Sequence, residues 1–484
     1  MVKEKTPQSR NSSISLFDST IPIFLLVTLL YINVNIYGDS SLEGSNQFVL
    51  LIGSAIAFIV GFKNKIPVEI IFETIGKNIK SISTPIIILL LVGALSGSWL
   101  ISGIIPSMIY YGFKIINASF FLPSCVIISA IVALATGSSW STSATIGIAL
   151  IGIGKALGFD GGIIAGAVIS GAYFGDKMSP LSDTTNLAAA VSGSDLFDHI
   201  KYMTITTVPT ILITIIFFTI FNLFNLPIDN LNQIKNIDSI NNYFFISPVL
   251  FFVPLLVILM ISKKINPVIS LFIGTIGAAI FTLIFQANLI SNIMTASSVT
   301  NITSYEIIMN SIVAKTIIET NTPFLNDLFS SGGMSGMLDT IWLVICAMIF
   351  GGVMEAIGAL RKISESLLSI AKSTLSLFAT TAVSCFTVNF TASDQYLSIV
   401  IPGKMFSRAY DDKKLSRLNL SRTIEDSGTV TSVLIPWNTC GAYQASVLNV
   451  SVFDYFIYAI FNWLSPFTTL LIASLNYKIK KIIN

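Results

Sequence analysis

Residues 175–186 read Gly-Asp-Lys-Met-Ser-Pro-Leu-Ser-Asp-Thr-Thr-Asn, between the apolar or small-residue runs 162–174 and 187–191. A helix cannot run straight through this stretch. Pro180 lacks a backbone N–H and disfavours helix at Ser179. At bilayer depth such a break survives only where protein packs around it or a wet cavity meets it. The carbonyls it frees join the side chains of Asp183, Thr184, Thr185 and Asn186 as hard oxygen donors suited to an alkali cation. Asp183 and Asn186 are the candidate sodium ligands, with Asp176 as a second carboxylate. A carboxylate such as Asp183 can hold a metal ion or a proton but not both, so one group can exchange the two. A solvent loop would use the same Pro and Asp turn chemistry; the apolar flanks on both sides favour the membrane.

A second polar interruption runs from Glu425, Asp426, Ser427, Gly428 and Thr429 to Pro436, Trp437, Asn438 and Thr439. Asn438 and Thr439 are candidate neutral ligands. Glu425 and Asp426 either join them or cap a helix near a loop. Two shorter breaks complete the set: Gly137-Ser138-Ser139-Trp140-Ser141-Thr142 and Ala392-Ser393-Asp394-Gln395-Tyr396. Ser138 and Ser139 either offer oxygens and amides at a helix start or simply pack against a neighbouring helix. Asp394 is an ionisable group inside a span, at a cost of ~2.5–3.5 kcal/mol, and is read as functional for that reason. Glu355 lies near the end of a span, where it joins the site, snorkels, or pairs with Arg361. His199, the only histidine, sits beside Asp198 where a span begins and reads as an interfacial hydrogen-bonding group.

These breaks are set in a chain of 484 residues, 53% hydrophobic and 11% charged, with a mean hydropathy of +0.80. Soluble chains carry about 25% charged residues, so a lipid bilayer is the expected partner. The net charge of +2 gives no reason to expect nucleic acid. The four cysteines lie far apart and there is one histidine, so no zinc site is expected. No phosphate-binding loop, nucleophile elbow or zinc-protease signature occurs. An enzyme is therefore not expected, and no resident cofactor; Na+ and H+ would pass as transported species.

The expected fold is an all-α polytopic membrane protein of about 12–14 transmembrane segments. Continuous spans are read at 20–37, 46–62, 85–104, 116–136, 200–225, 244–262, 266–287, 338–358, 374–392 and 453–475, with broken or re-entrant ones at 138–153, 162–194, 394–407 and 421–446. Lysine and arginine crowd the loops near 63–80, 263–264, 361–372, 408–417 and 478–481. The positive-inside rule puts these loops and both termini in the cytoplasm, and the polar segment 288–337 outside. Shifting the chain by the distance from Phe197 to Phe453 also aligns Asp198 with Asp454, Tyr202 with Tyr458, Gly147 with Gly403, and Asp183 with Thr439. By the loop charges, 85–104 leaves the cytoplasm while its partner 338–358 enters it. The organisation that follows is two inverted repeats, 81–225 and 338–477. Around them lie a tail 1–19, two N-terminal spans in 20–80, a linker 226–337 with two spans and an external loop, and a tail 478–484. Such repeats hold substrate near the midplane at their interface. Pairing into a homodimer is carried as a further expectation.

The run Gly171-Ala172-Tyr173-Phe174-Gly175-Asp176-Lys177-Met178-Ser179-Pro180-Leu181-Ser182-Asp183-Thr184-Thr185-Asn186-Leu187-Ala188 resembles the most recognisable motif of the NhaC family of sodium/proton antiporters. Residues 137–142, 350–355 and 392–398 resemble three further motifs of that family, although Ser141 and Ala144 stand where it usually has glycine. The resemblance implies a multi-span carrier of the cell membrane that exchanges Na+ for H+ by alternating access. The family also contains exchangers coupling these ions to malate and lactate, which is the alternative reading.

Overall fold

The computed structural model describes residues 14–37, 41, 44–225, 239–296, 302–320 and 323–482. Most of the expected N-terminal tail, the start of the linker at 226–238, and residues 483–484 lie outside the described residues. The chain opens with α1 (Leu16–Tyr37), α2 (Ser45–Lys63) and α3 (Val68–Ser81). A first run follows: α4 (Ser83–Ile101), α5 (Ile104–Ile115), α6 (Phe121–Thr136), α7 (Ser139–Thr142), α8 (Ile148–Ala156), α9 (Gly161–Met178), α10 (Asp183–Ser192) and α11 (Leu196–Phe224). The middle holds α12 (Phe252–Ser262), α13 (Pro267–Phe285), α14 (Ala287–Ala296), α15 (Ser304–Val313) and α16 (Pro323–Leu328). A second run closes the chain: α17 (Leu338–Ala356), α18 (Ala359–Ser369), α19 (Thr374–Ala392), α20 (Gln395–Asp412), α21 (Arg417–Ile424), α22 (Thr439–Leu448), α23 (Val452–Phe456) and α24 (Ile460–Ser474). Among the described residues, eight helices are long and apolar enough to cross a membrane, and Pro248–Ser262 and Ile460–Ser474 are shorter apolar helices. The protein is an all-α polytopic membrane protein.

The two runs share their element boundaries at the offset that relates Phe197 to Phe453. Ala118–Thr136 falls on Thr374–Ala392, and Asp183–Ser192 on Thr439–Leu448. The composite helix over 139–156 falls on Gln395–Asp412. The turns match too. Gly137 (φ 69°) falls on Ser393 (φ 59°), and Gly193 (φ 72°) on Asn449 (φ 51°), all left-handed. Side-chain caps recur with changed residues: Ser138 and Asp394, Asp160 and Ser416, Ser182 and Asn438, Asp195 and Ser451 each accept a backbone N–H at a helix start. Little identity survives between the runs, but the backbone's demand for a cap at each break has been met in both.

Several elements differ from expectation. The span expected at 453–475 is interrupted at 457–459, and the one at 244–262 starts only at Pro248. The segment 288–337, expected as a polar loop, contains three short helices and a ladder in which Thr316–Ile317 pairs antiparallel with Ser330–Ser331. Helices α3, α5 and α18 were not foreseen. At the N-terminus, Lys63 pairs with the buried Asp18 at 2.7 Å and closes the α1–α2 hairpin.

Close helix contact is made with glycine. On α9, a Cβ at Gly171 would strike the carbonyl of Val126, and one at Gly175 that of Ala130, both on α6. Small residues at a membrane-helix contact let two backbones approach. A Cβ at Gly76 on α3 would meet open space. Gly171→Val is therefore expected to destabilise the α6–α9 pair by ~1–3 kcal/mol, the range for overpacking. Thermal melting in detergent followed by tryptophan fluorescence checks it: Gly171→Val should lower the midpoint, and Gly76→Ala should leave it in place.

Candidate ion-binding site

A cavity of about 750 Å³ lies where the breaks of the two runs meet; Asp176, Asp183, Asn186, Asp394, Tyr396 and Thr439 are in its wall. Ser81 and Lys264 stand at the same cavity, on the face whose loops carry the basic residues. A second cavity of about 880 Å³ includes Asp160 at the start of α9 and Asn449 beyond the end of α22. It therefore lies at the other end of those helices from the first. Between the two, Trp140 and Tyr443 stack with ring centroids 3.9 Å apart, and the Tyr443 hydroxyl donates to the Trp140 carbonyl at 3.0 Å.

Asp183 opens α10. Its Oδ1 accepts from the Thr184 N–H at 2.9 Å and its Oδ2 from the Tyr396 hydroxyl at 2.6 Å. Asp183 and Asn186 are exposed to the cavity. Asp183, the first residue of α10, thus stands at the cavity wall rather than in packed helix. The buried carboxylates of the two runs, among the described residues, are Asp176, Asp394, Glu425 and Asp426. Asp176 Oδ2 accepts from the Ser139 N–H at 2.9 Å and the Ser139 hydroxyl at 2.7 Å.

Other expected ligands turn out to hold the backbone breaks together. Asn186 Nδ2 donates to the carbonyls of Pro180 (3.0 Å) and Ser182 (2.6 Å). The Thr185 hydroxyl donates to the Lys177 carbonyl at 3.0 Å. Asp394 caps α20 by accepting from the Leu397 N–H at 2.8 Å, as Ser138 caps α7 from Ser141 at 3.1 Å. Asn438 Oδ1 caps α22 from the Cys440 N–H at 3.0 Å, and the Thr439 N–H donates to the Ser393 carbonyl at 3.0 Å. Glu355 is not brought to the cavity. It is half-buried beside Asn78, whose amide nitrogen, turned toward it, donates to Oε2 at 3.2 Å. Arg361 pairs with Glu365 at 2.8 Å, not with Glu355.

Lys177 was missed as a site residue, while Asp426, read as a ligand or a helix cap, is its partner. Lys177, at the end of α9, forms an ion pair with Asp426, and both side chains are fully buried. The Thr469 hydroxyl of α24 donates to the other oxygen of Asp426. Asp426 therefore caps no helix end; it lies in a π turn, Glu425–Thr429, all of whose residues are buried. The rule that marked Asp394, an ionisable group at membrane depth, applies equally to Lys177 and would have found it. His199 is buried rather than interfacial, with Nδ1 2.8 Å from the Ser421 hydroxyl. Thr184 links the cavity to this layer, its hydroxyl donating to Glu425 Oε1 at 3.2 Å.

The profile of the Na+/H+ antiporter family matches residues 171–476, which carry both long breaks. The chain belongs to that family. It is 38% identical to the Na+/H+ antiporter NhaC of Alkalihalophilus pseudofirmus, over 82% of this chain and 83% of that one. It is 36% identical to the Na+/H+ antiporter NhaC of Bacillus subtilis, over 87% and 89%. It is also 35% identical to the malate-2H+/Na+-lactate antiporter of Bacillus subtilis, over 87% and 86%. In this family member the buried ion pair bridges the two runs, and breaking such a pair from one side costs ~3–5 kcal/mol, whereas replacing both partners by apolar groups is close to neutral. Lys177→Met alone is expected to lower the folded yield and melting temperature sharply. The double change Lys177→Met with Asp426→Leu should recover most of the loss. Size-exclusion profiles and melts of the single and double variants test this; additive losses would show that the two groups do not act as a pair.

Proposed function

We propose that this chain exchanges Na+ for H+ across the cytoplasmic membrane by alternating access, with the two runs acting as inverted repeats about the cavity. The observation that carries the reading is Asp183: its carboxylate stands on the wall of a cavity built from both runs, held by one hydroxyl and one backbone N–H. Either contact can be kept while the carboxylate takes a sodium ion or a proton. Asp176 and Asp394 stand in the same wall, and the Thr439 end of α22 faces them. The basic loops support a cytoplasmic side for this cavity and an outer side for the second. The stacked Trp140 and Tyr443 then separate the two in this state. The relatives' own activities, Na+/H+ exchange in two of them, agree with this assignment.

A sodium ion alone does not need a cavity of about 750 Å³, and one relative exchanges malate and Na+-lactate. The assay therefore carries organic acids as separate arms. In proteoliposomes with a trapped pH-sensitive dye, an imposed Na+ gradient is expected to move protons in the opposite direction without malate or lactate. If proton movement requires one of those acids, the chain is an organic-acid exchanger instead. Asp183→Asn should reduce the Na+-driven signal tenfold or more, equivalent to ~1.4 kcal/mol or greater, while the protein still inserts. An unchanged rate in that variant would remove Asp183 from the exchange.

A further inference from the structure

Asp183 and Thr184 are neighbours in the first turn of α10, yet they serve opposite sides of it. Asp183 faces the cavity, while the fully buried Thr184 hydroxyl reaches Glu425 in the π turn of the second run. Behind Thr184 lie polar atoms for which the structure supplies no partner. Asp176 Oδ1 and Glu425 Oε2 are both buried and have no hydrogen-bond partner among the described residues. The Ser182 and Thr429 hydroxyls stand beside these two carboxylates, but neither closes to bonding distance of a bare oxygen. Ser182 is tied to Thr184 at 3.0 Å and Thr184 to Glu425 at 3.2 Å, so these three form one chain of oxygens, with Asp176 and Thr429 as its neighbours. The carboxylates of Asp176 and Glu425 act on each other electrostatically, and Lys177 acts on Glu425.

We infer that Asp176 and Glu425, with the hydroxyls of Thr184 and Thr429, form an occluded site for one monovalent cation behind the cavity-facing Asp183. The inference rests on the Na+/H+ reading above and adds where the ion is held when neither side can reach it. A buried carboxylate oxygen without a partner is strongly unfavourable, and here two occur together. Lys177 does not relieve them, because its ammonium is engaged by Asp426. The donor set is hard oxygen throughout, which selects an alkali cation over a softer metal. Two carboxylates and two hydroxyls offer too few ligands for Ca2+, which takes 6–8 oxygens. When the ion leaves, a proton on Glu425 restores charge balance by forming an O–H bond at the bare oxygen. Because Asp176 and Thr184 belong to the first run and Glu425 and Thr429 to the second, the site is complete only while the two runs are in contact. Occupancy and closure are coupled by construction.

The test uses the full chain, purified in detergent and in proteoliposomes, with NaCl against choline chloride as the probe. Wild type should be stabilised by Na+ in thermal melts, in a concentration-dependent manner. Glu425→Gln should lose that Na+-dependent shift and at least tenfold of the Na+-driven proton flux, while Lys177 and Asp426 keep it folded. Thr184→Val, which keeps the shape and removes the hydroxyl, should raise the Na+ concentration for half-maximal flux about tenfold. It decides the matter if Glu425→Gln does not fold. Wild-type Na+ dependence in the variants would overturn the occluded site and leave Asp183 as the ion's holder. Absence of Na+-driven proton flux in wild type would instead sink the exchange reading itself, so the two failures are told apart.

Discussion

The hydrocarbon core offers a polar group no partner, so each charge placed there has to find its complement within the chain. The pair of Lys177 and Asp426 meets that constraint across the two runs, whereas the equally buried Arg422 lies over the Tyr202 ring at 4.6 Å. Each side chain of the pair is fully buried, and the two come from positions 249 residues apart in sequence. Removing either would strand the other in apolar surroundings. The pair therefore fixes the end of α9 against the π turn of the second run, and with it the distance across which Thr184 meets Glu425. A π turn widens the helix locally and turns side chains that a regular helix would direct elsewhere. Here it directs two successive acids, Glu425 and Asp426, toward the first run.

The two runs are alike in element boundaries and unlike in chemistry. At the offset relating the runs, Glu425 and Asp426 fall on Ile169 and Ser170, Lys177 on Val433, and Asp176 on Ser432. The caps, by contrast, coincide in role: Ser182 with Asn438, and Ser138 with Asp394. Capping is required of any broken helix in lipid, so both copies retained it. Charge is needed once, at the contact between copies, so each copy carries a different part of it. This is also why a lone run could not hold an ion in the manner inferred here, since each supplies a single bare carboxylate oxygen.

The breaks at 137–142, 175–186, 392–398 and 425–441 were legible because Pro, Gly and polar residues interrupt apolar sequence. Within them, the division of labour was not. Asn186, Thr185, Asp394 and Asn438 have the residue types of cation ligands, yet each satisfies backbone groups that the break exposes. Ser, Thr, Asn and Asp are the residues that do both jobs, so composition alone cannot separate a cap from a ligand. Lys177 was hidden differently: its partner lies in the other run, and no local spacing encodes it. The amphipathic helices α3 and α18 escaped a search tuned to long apolar stretches. The break at 457–459 escaped because Tyr458 and Ala459 are not helix breakers by type.

The placement of α10 and α22 says how the two cavities are kept apart. Both helices begin at the first cavity, with their first residues, Asp183 and Thr439, in its wall. The far end of α22 passes Ser446 and Asn449 into the second cavity. Midway, Tyr443 stacks on Trp140, and its hydroxyl is bound to the Trp140 carbonyl. Trp140 belongs to the first run and Tyr443 to the second, as do Thr184 and Glu425. The barrier between the cavities and the group behind Asp183 are thus both made by contacts between the same two runs.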